Sequence, residues 1–196
     1  MKKKVAAYFL SAVLVFGYFA ILWWARTPEV SDVYRMYFID HSLSVWPGDT
    51  GLNCELGITE YLGTHSGEEK MALRLGRGWY DAEDEGRWTK GGEAVLFYDP
   101  IPEISRDLIF TYTITNWISD GEIEILANGI SLGTLSREMD QPSSLKIPRE
   151  IIGEDRRLEL VFSIERPVRP SDFGSSDARE LGVMIDSIQL DEEKAE

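Results

Sequence analysis

A chain of 196 residues, 43% of them hydrophobic, has room for one core of ordinary size. The first 26 residues carry Lys2, Lys3, Lys4 and Arg26 and no acid, so 16 basic residues face 34 acidic ones beyond Arg26, a net −18. A surface that acidic repels nucleic-acid phosphate and anionic headgroups, and suits solubility or a neutral or cationic partner. The single cysteine, Cys54, excludes an internal disulfide and a multi-thiolate zinc site.

The chain opens with a basic stretch, then 21 uncharged residues at 5–25. At 1.5 Å rise per residue such a run covers the ~30 Å of a bilayer core. Trp23 and Trp24 stand at its far end, where amphipathic rings favour the headgroup zone. Three lysines before it against one arginine after it predict a cytoplasmic N-terminus and an extracytoplasmic body. A cleaved signal peptide would have a shorter apolar region and a small-x-small site; Leu22-Trp23-Trp24-Ala25 is a poor one. Residues 1–26 therefore read as an uncleaved signal-anchor, with the transmembrane helix at 5–25. No cysteine near its end marks a lipoprotein.

Residues 27–32 (TPEVSD) read as a polar linker and 33–190 as one domain. Strand signals dominate that domain. Tyr34, Met36 and Phe38 alternate with Arg35, Tyr37 and Ile39. Residues 42–46 and 70–75 are short candidates, and 51–67 is loop or irregular strand. Strands follow at 93–98, 108–115, 122–127, 130–135, 145–147, 157–164 and 183–190, where β-branched and aromatic residues gather. Asn128-Gly129 between two such runs is a strong hairpin signal. Pro148 opens one short helical turn through Ile152. Nine or ten strands at about 8–12-residue spacing predict an all-β sandwich or barrel behind one membrane helix. The charged tail at 191–196 is expected to fray.

Residues 78–89 (GWYDAEDEGRWT) gather rings and charges in a glycine-bent loop. Trp79, Tyr80 and Trp88 can stack on a pyranose ring, while Glu83 and Arg87 bond its hydroxyls. Alternatively Trp79 and Trp88 are core residues, since Arg87, Trp88 and Thr89 alternate at the start of a strand and would turn Trp88 inward. Asp177 and Arg179 also have two readings: ligand contacts beside the loop, or a buried salt bridge, Arg179 with Glu83, tying the end of the chain to it.

Two stretches taken together carry a resemblance. One is Gly78-Trp79-Tyr80, Glu83 and Gly86-Arg87-Trp88-Thr89 before the strand Ala94-Val95-Leu96. The other is Arg166-Pro167, Arg169-Pro170-Ser171-Asp172, Gly174 and Ser176-Asp177-Ala178-Arg179-Glu180-Leu181-Gly182 before the last strand. With the Asn128-Gly129 hairpin between them, this order resembles the accessory jelly-roll domains of bacterial envelope glycosyltransferases and related glycan-modifying membrane proteins. Such domains are galactose-binding-like and carbohydrate-binding-module-like. The resemblance covers roughly 69–190 and implies an antiparallel jelly-roll β-sandwich in a glycan-handling setting. This chain departs from it in having no catalytic partner domain and a more acidic loop at 81–85.

Other chemistry is less well supplied. Glu83, Asp84 and Glu85 raise the possibility of a glycan-active enzyme, but adjacent acids on one loop are more often a solvated face or a structural Ca²⁺ site. Asp40-His41-Ser42 makes no triad if strand neighbours point to opposite faces. His41 and His65 need carboxylate help to hold a metal. No phosphate-cradling glycine loop is present. The sequence therefore predicts no catalytic residue, no metal and no cofactor beyond a structural Ca²⁺. It points to a non-catalytic, membrane-tethered sandwich that binds or guides an envelope polysaccharide outside the cytoplasmic membrane. The expected sugar contacts are Trp79, Tyr80, Glu83, Arg87, Trp88, Asp177 and Arg179. The alternative is a docking subunit of a membrane glycan-synthesis or export complex; expected partners are the glycan, those proteins and the membrane itself, not nucleic acid.

Overall fold

The computed structural model describes residues 2–26, 28–48, 51–64 and 73–194. A helix α1, Lys2–Arg26, comes first. Its span Tyr8–Arg26 is long and apolar enough to cross a membrane, and none of it is buried against the rest of the chain. The body is a sandwich of two antiparallel sheets.

Among the described residues ten strands build it: β1 Thr59–Tyr61, β2 Trp79–Glu83, β3 Gly86–Lys90, β4 Glu93–Tyr98, β5 Leu108–Trp117, β6 Ile123–Ala127, β7 Ile130–Thr134, β8 Pro142–Ile147, β9 Leu158–Ile164 and β10 Leu181–Glu192. One sheet runs β2-β3-β10-β5-β8, with β1 also on β10; the other runs β4-β9-β6-β7. From β3 onward the chain crosses between sheets at almost every connection, which is the jelly-roll habit. The long β10 is the seam: its first half pairs with β3, its second half with β1, and its other edge with β5.

Alternation sets the core. In β5 every second residue (Leu108, Phe110, Tyr112, Ile114) is buried, and β9 does the same with Leu158, Leu160, Phe162 and Ile164. These face Ile123, Ile125, Ala127, Val183 and Ile185 across the sandwich. Burying one such side chain stabilises by about 1.5–3 kcal/mol. The β6–β7 turn has positive φ at both Asn128 and Gly129, the primed geometry that matches strand twist. The Asn128 amide also donates to the carbonyls of Ile151 and Arg157, and its oxygen accepts from the Glu159 N–H.

Four expectations change. Residues 33–39 are not a strand: α2, Asp32–Tyr34, runs into a π-helical turn, Arg35–Ile39. Val33, Met36 and Tyr37 pack with Val95, Phe97, Leu43 and Val161. This helical segment thus roofs the outer face of β4, whose inner face (Ala94, Leu96, Tyr98) fills the main core. The short candidate at 42–46 reduces to a single bridge, Leu43 with Gly76. The candidate at 70–75 begins outside the described residues, and its end makes only the bridge Leu75 with Leu96. Within 51–67, residues 59–61 do form a strand; His65 lies outside the described residues. The last two residues of the tail lie outside them too, and Asp191 and Glu192 end β10 rather than fray.

Candidate functional site

The ring-bearing stretch is a hairpin rather than an open loop. Glu83 pairs with Gly86 across the two-residue turn Asp84-Glu85, and Trp79 pairs with Thr89. Gly78 starts it with φ +87, and a Cβ there would stand 1.8 Å from the Glu93 carbonyl oxygen. Only glycine lets the hairpin lie this close to β4.

Strand alternation divides the aromatics between two faces. Trp79 turns inward, donates its indole N–H to the Val95 carbonyl at 2.8 Å and meets Phe162 edge to face at 5.5 Å. Trp88 is 6% exposed, but it does not enter the space between the sheets. It lies on the outer face of its sheet in a small cluster with Leu181 and Met184, flanked by Tyr80 and Ile118. The inward orientation of Trp88 is therefore corrected: the inward residue of β3 is Thr89, whose Oγ1 accepts from the Val183 N–H. Trp88 presents no face to solvent for a sugar, and the half-buried Trp79 is committed to the core through its indole. Arg87 is buried as well and donates to the Tyr80 carbonyl at 3.1 Å.

The other four predicted residues do come together. Arg179 donates from Nη1 to Glu83 Oε1 at 2.7 Å. Its Nε and Nη2 bond both Asp177 carboxylate oxygens at 2.8–3.1 Å, and its backbone N–H bonds Asp177 Oδ1 at 2.9 Å. The guanidinium lies 5.2 Å from the Tyr80 ring centroid, with Lys90 Nζ 5.6 Å from that ring. The Tyr80 hydroxyl accepts from the Glu180 N–H at 3.1 Å, and Glu180 in turn pairs with Arg169. A short helical turn, Pro170–Phe173, precedes this arm. The side chains of Glu83, Arg179 and Asp177 are 42%, 36% and 28% exposed, so the expected buried bridge is in fact open to water.

The Arg179 hydrogen bonds hold the Asp177 carboxyl below its ordinary range, and Asp177 and Glu83 push the Arg179 guanidinium further up. Asp177 is thus ionised at neutral pH, which suits a hydrogen-bond acceptor rather than a proton donor. Among the described residues, no three His, Cys, Asp or Glu side chains form a metal-holding group. Asp40-His41-Ser42 follows the π-helical turn, with His41 at φ 53, so the strand geometry expected there is absent.

Sequence reasoning missed two features. One is a cavity of about 420 Å³ where the 32–42 segment meets the ends of β4 and β9; Asp40, Arg77, Asp99, Asp155, Arg157 and Glu159 are among its lining. Burial, then Asp155, raises the Asp99 carboxyl above its usual range. None of the seven predicted residues lines it. The other is a group of rings: Tyr34, Tyr37, Phe38 and Trp46 pack with centroids 4.6–6.2 Å apart. The spacing Tyr34–Phe38, four apart, was the available signal, because it repeats on one helix face.

Comparison with protein families and with curated proteins finds no match. Among solved structures, the chain is similar to a family 35 carbohydrate binding module from an environmental isolate. That similarity has 13% identity and a TM-score of 0.35, over 76% of this chain and 96% of that one. The sandwich itself rests on the strand pairings above, and so weak a likeness carries nothing about a ligand.

Proposed function

We propose that this chain is a non-catalytic, membrane-tethered sandwich whose Arg179 centre engages a neutral envelope glycan outside the cytoplasmic membrane. The observation that carries this is the half-exposed meeting of Glu83, Asp177 and Arg179 beside Tyr80, from segments 96 residues apart. Carboxylates and a guanidinium side by side can trade bonds with vicinal hydroxyls, and Tyr80 offers an apolar edge. The tether keeps the module beside a glycan synthase or exporter. Local concentrations of about millimolar then make a weak contact sufficient. The reading needs no cofactor.

A docking role in a glycan-synthesis or export complex is the second reading. The inward Trp79 and buried Trp88 favour it, because they remove two of the three expected stacking platforms. Full-length protein in lipid nanodiscs on an array of neutral and acidic glycans separates the two. Glycan binding predicts retention on neutral sugars, lost in Arg179→Ala and in Tyr80→Ala while both variants keep the fold. Retention on no glycan, or equal retention by both variants, defeats it in favour of docking.

A further inference from the structure

The rings beyond α1 form an exposed apolar patch. Tyr34, Phe38 and Trp46 are exposed, as are Ile39 and Val45 beside them. Tyr37 bridges this patch to the residues packed on the outer face of β4. The patch is rich in tyrosine and tryptophan, which combine an apolar body with a polar tip and favour the headgroup layer of a bilayer.

Its connection to α1 is short and fastened. Five residues separate Arg26 from Asp32. The Pro28 carbonyl accepts from Arg35 Nη2 at 3.2 Å and from the Val30 N–H at 3.0 Å. Pro28 is thus bonded to the same helical turn that carries Phe38, two residues past the end of α1. Even fully extended, the five-residue link reaches only about 20 Å. Charge argues the same way. Asp32, the acid at the start of α2, is paired with Arg157. The patch can therefore meet lipid without immersing that charge alone.

We infer that this patch is a second membrane contact, lying in the headgroup layer of the bilayer that holds α1. The contact presses the outer face of the β4-β9-β6-β7 sheet toward the membrane and turns the outer face of the other sheet, with Tyr80 and Arg179, away from it. The binding centre then addresses material beyond the membrane surface. The inference rests on α1 remaining in the membrane, as proposed above.

Nitroxide labels on the full-length protein in phosphatidylcholine vesicles test it. Ile39→Cys and Val45→Cys place labels on the patch without removing a ring. Val13→Cys labels α1, and Ser144→Cys labels the exposed outer face of β8. Burial pushes the Cys54 thiol up to about 11, so it stays protonated and reacts slowly. The expected result is labels at 39 and 45 relaxed by oxygen rather than by an aqueous nickel complex, with the label at 144 the reverse. Replacing Tyr34, Phe38 and Trp46 with serine should return labels 39 and 45 to water while label 13 stays in lipid. Labels at 39 and 45 as aqueous as 144, with 13 in lipid, overturn the contact and leave the tether standing. If label 13 is aqueous as well, the tether and the contact fall together.

Discussion

Two arginines each reach across the chain to a glutamate, in opposite surroundings. Arg74, 7% exposed, bonds both Glu60 oxygens at 2.9 Å, donates to the carbonyls of Leu52, Asn53 and Phe97, and lies 4.2 Å over the Tyr98 ring. Arg179 makes a similar number of bonds, but to two carboxylates in a setting partly open to water. Bond count is therefore a poor guide to what each does. Where water is scarce, removing the cation leaves its acceptors short of a partner. Where water is present, each partner can be exchanged, which a ligand site requires and a structural pin does not.

The largest effect should come at the buried member. Arg74→Met removes a cation shared by three carbonyls and Glu60, and should destabilise by about 3–5 kcal/mol. For a domain of this size that lowers Tm by roughly 6–20 °C, read by calorimetry. Arg74→Lys should recover little, because one ammonium cannot reproduce the fork. Salt should not change either result. A Tm loss under a few degrees would show that residues 52–60 are held by packing rather than by Arg74.

Arg179→Ala should cost less despite the similar geometry. Half-exposed pairs contribute about 1 kcal/mol or below, and screening reduces it further. Tm should fall by a few degrees at low ionic strength and less at high salt. A loss as large as that of Arg74→Met, unchanged by salt, would remove the distinction and make Arg179 a structural pin.

The same contrast between buried and open explains what the sequence disclosed. Strands β5, β6 and β9 were legible because one face of each is buried and period-2 alternation follows directly. The Arg179–Glu83 contact was legible as a pairing but not its exposure, since nothing in the residues says how deep a hairpin end lies. The segment at 33–39 misled because both its faces carry apolar side chains: one set packs over β4 and the rings face outward. Tyr34, Met36 and Phe38 then mimic a strand's alternation. Trp88 misled because the outer face of its sheet is itself covered, so burial did not imply the space between the sheets. Arg74 left no signal, because its carbonyl partners come from backbone that the sequence does not place.

The smallest effect, and the finest test of the comparison, is pH dependence at Asp177. Its carboxyl is lowered in the folded protein, first by the Arg179 side-chain hydrogen bonds and then by the Arg179 backbone N–H. A group lowered on folding stabilises above its unfolded pKa, about 4, and that contribution disappears as pH falls through the folded value. Asp177→Asn should therefore lower Tm at neutral pH and converge with the native chain once pH drops well below 4. The neutral-pH loss should be smaller than that of Arg179→Ala, because Glu83 still holds the guanidinium. Arg74→Met provides the control. The buried arginine is charged throughout this range, so its deficit should persist at acid pH. A gap between Asp177→Asn and the native chain that stays constant from neutral to acid pH would mean that the carboxylate is not the group Arg179 stabilises, and the open centre would lose its charge-based reading.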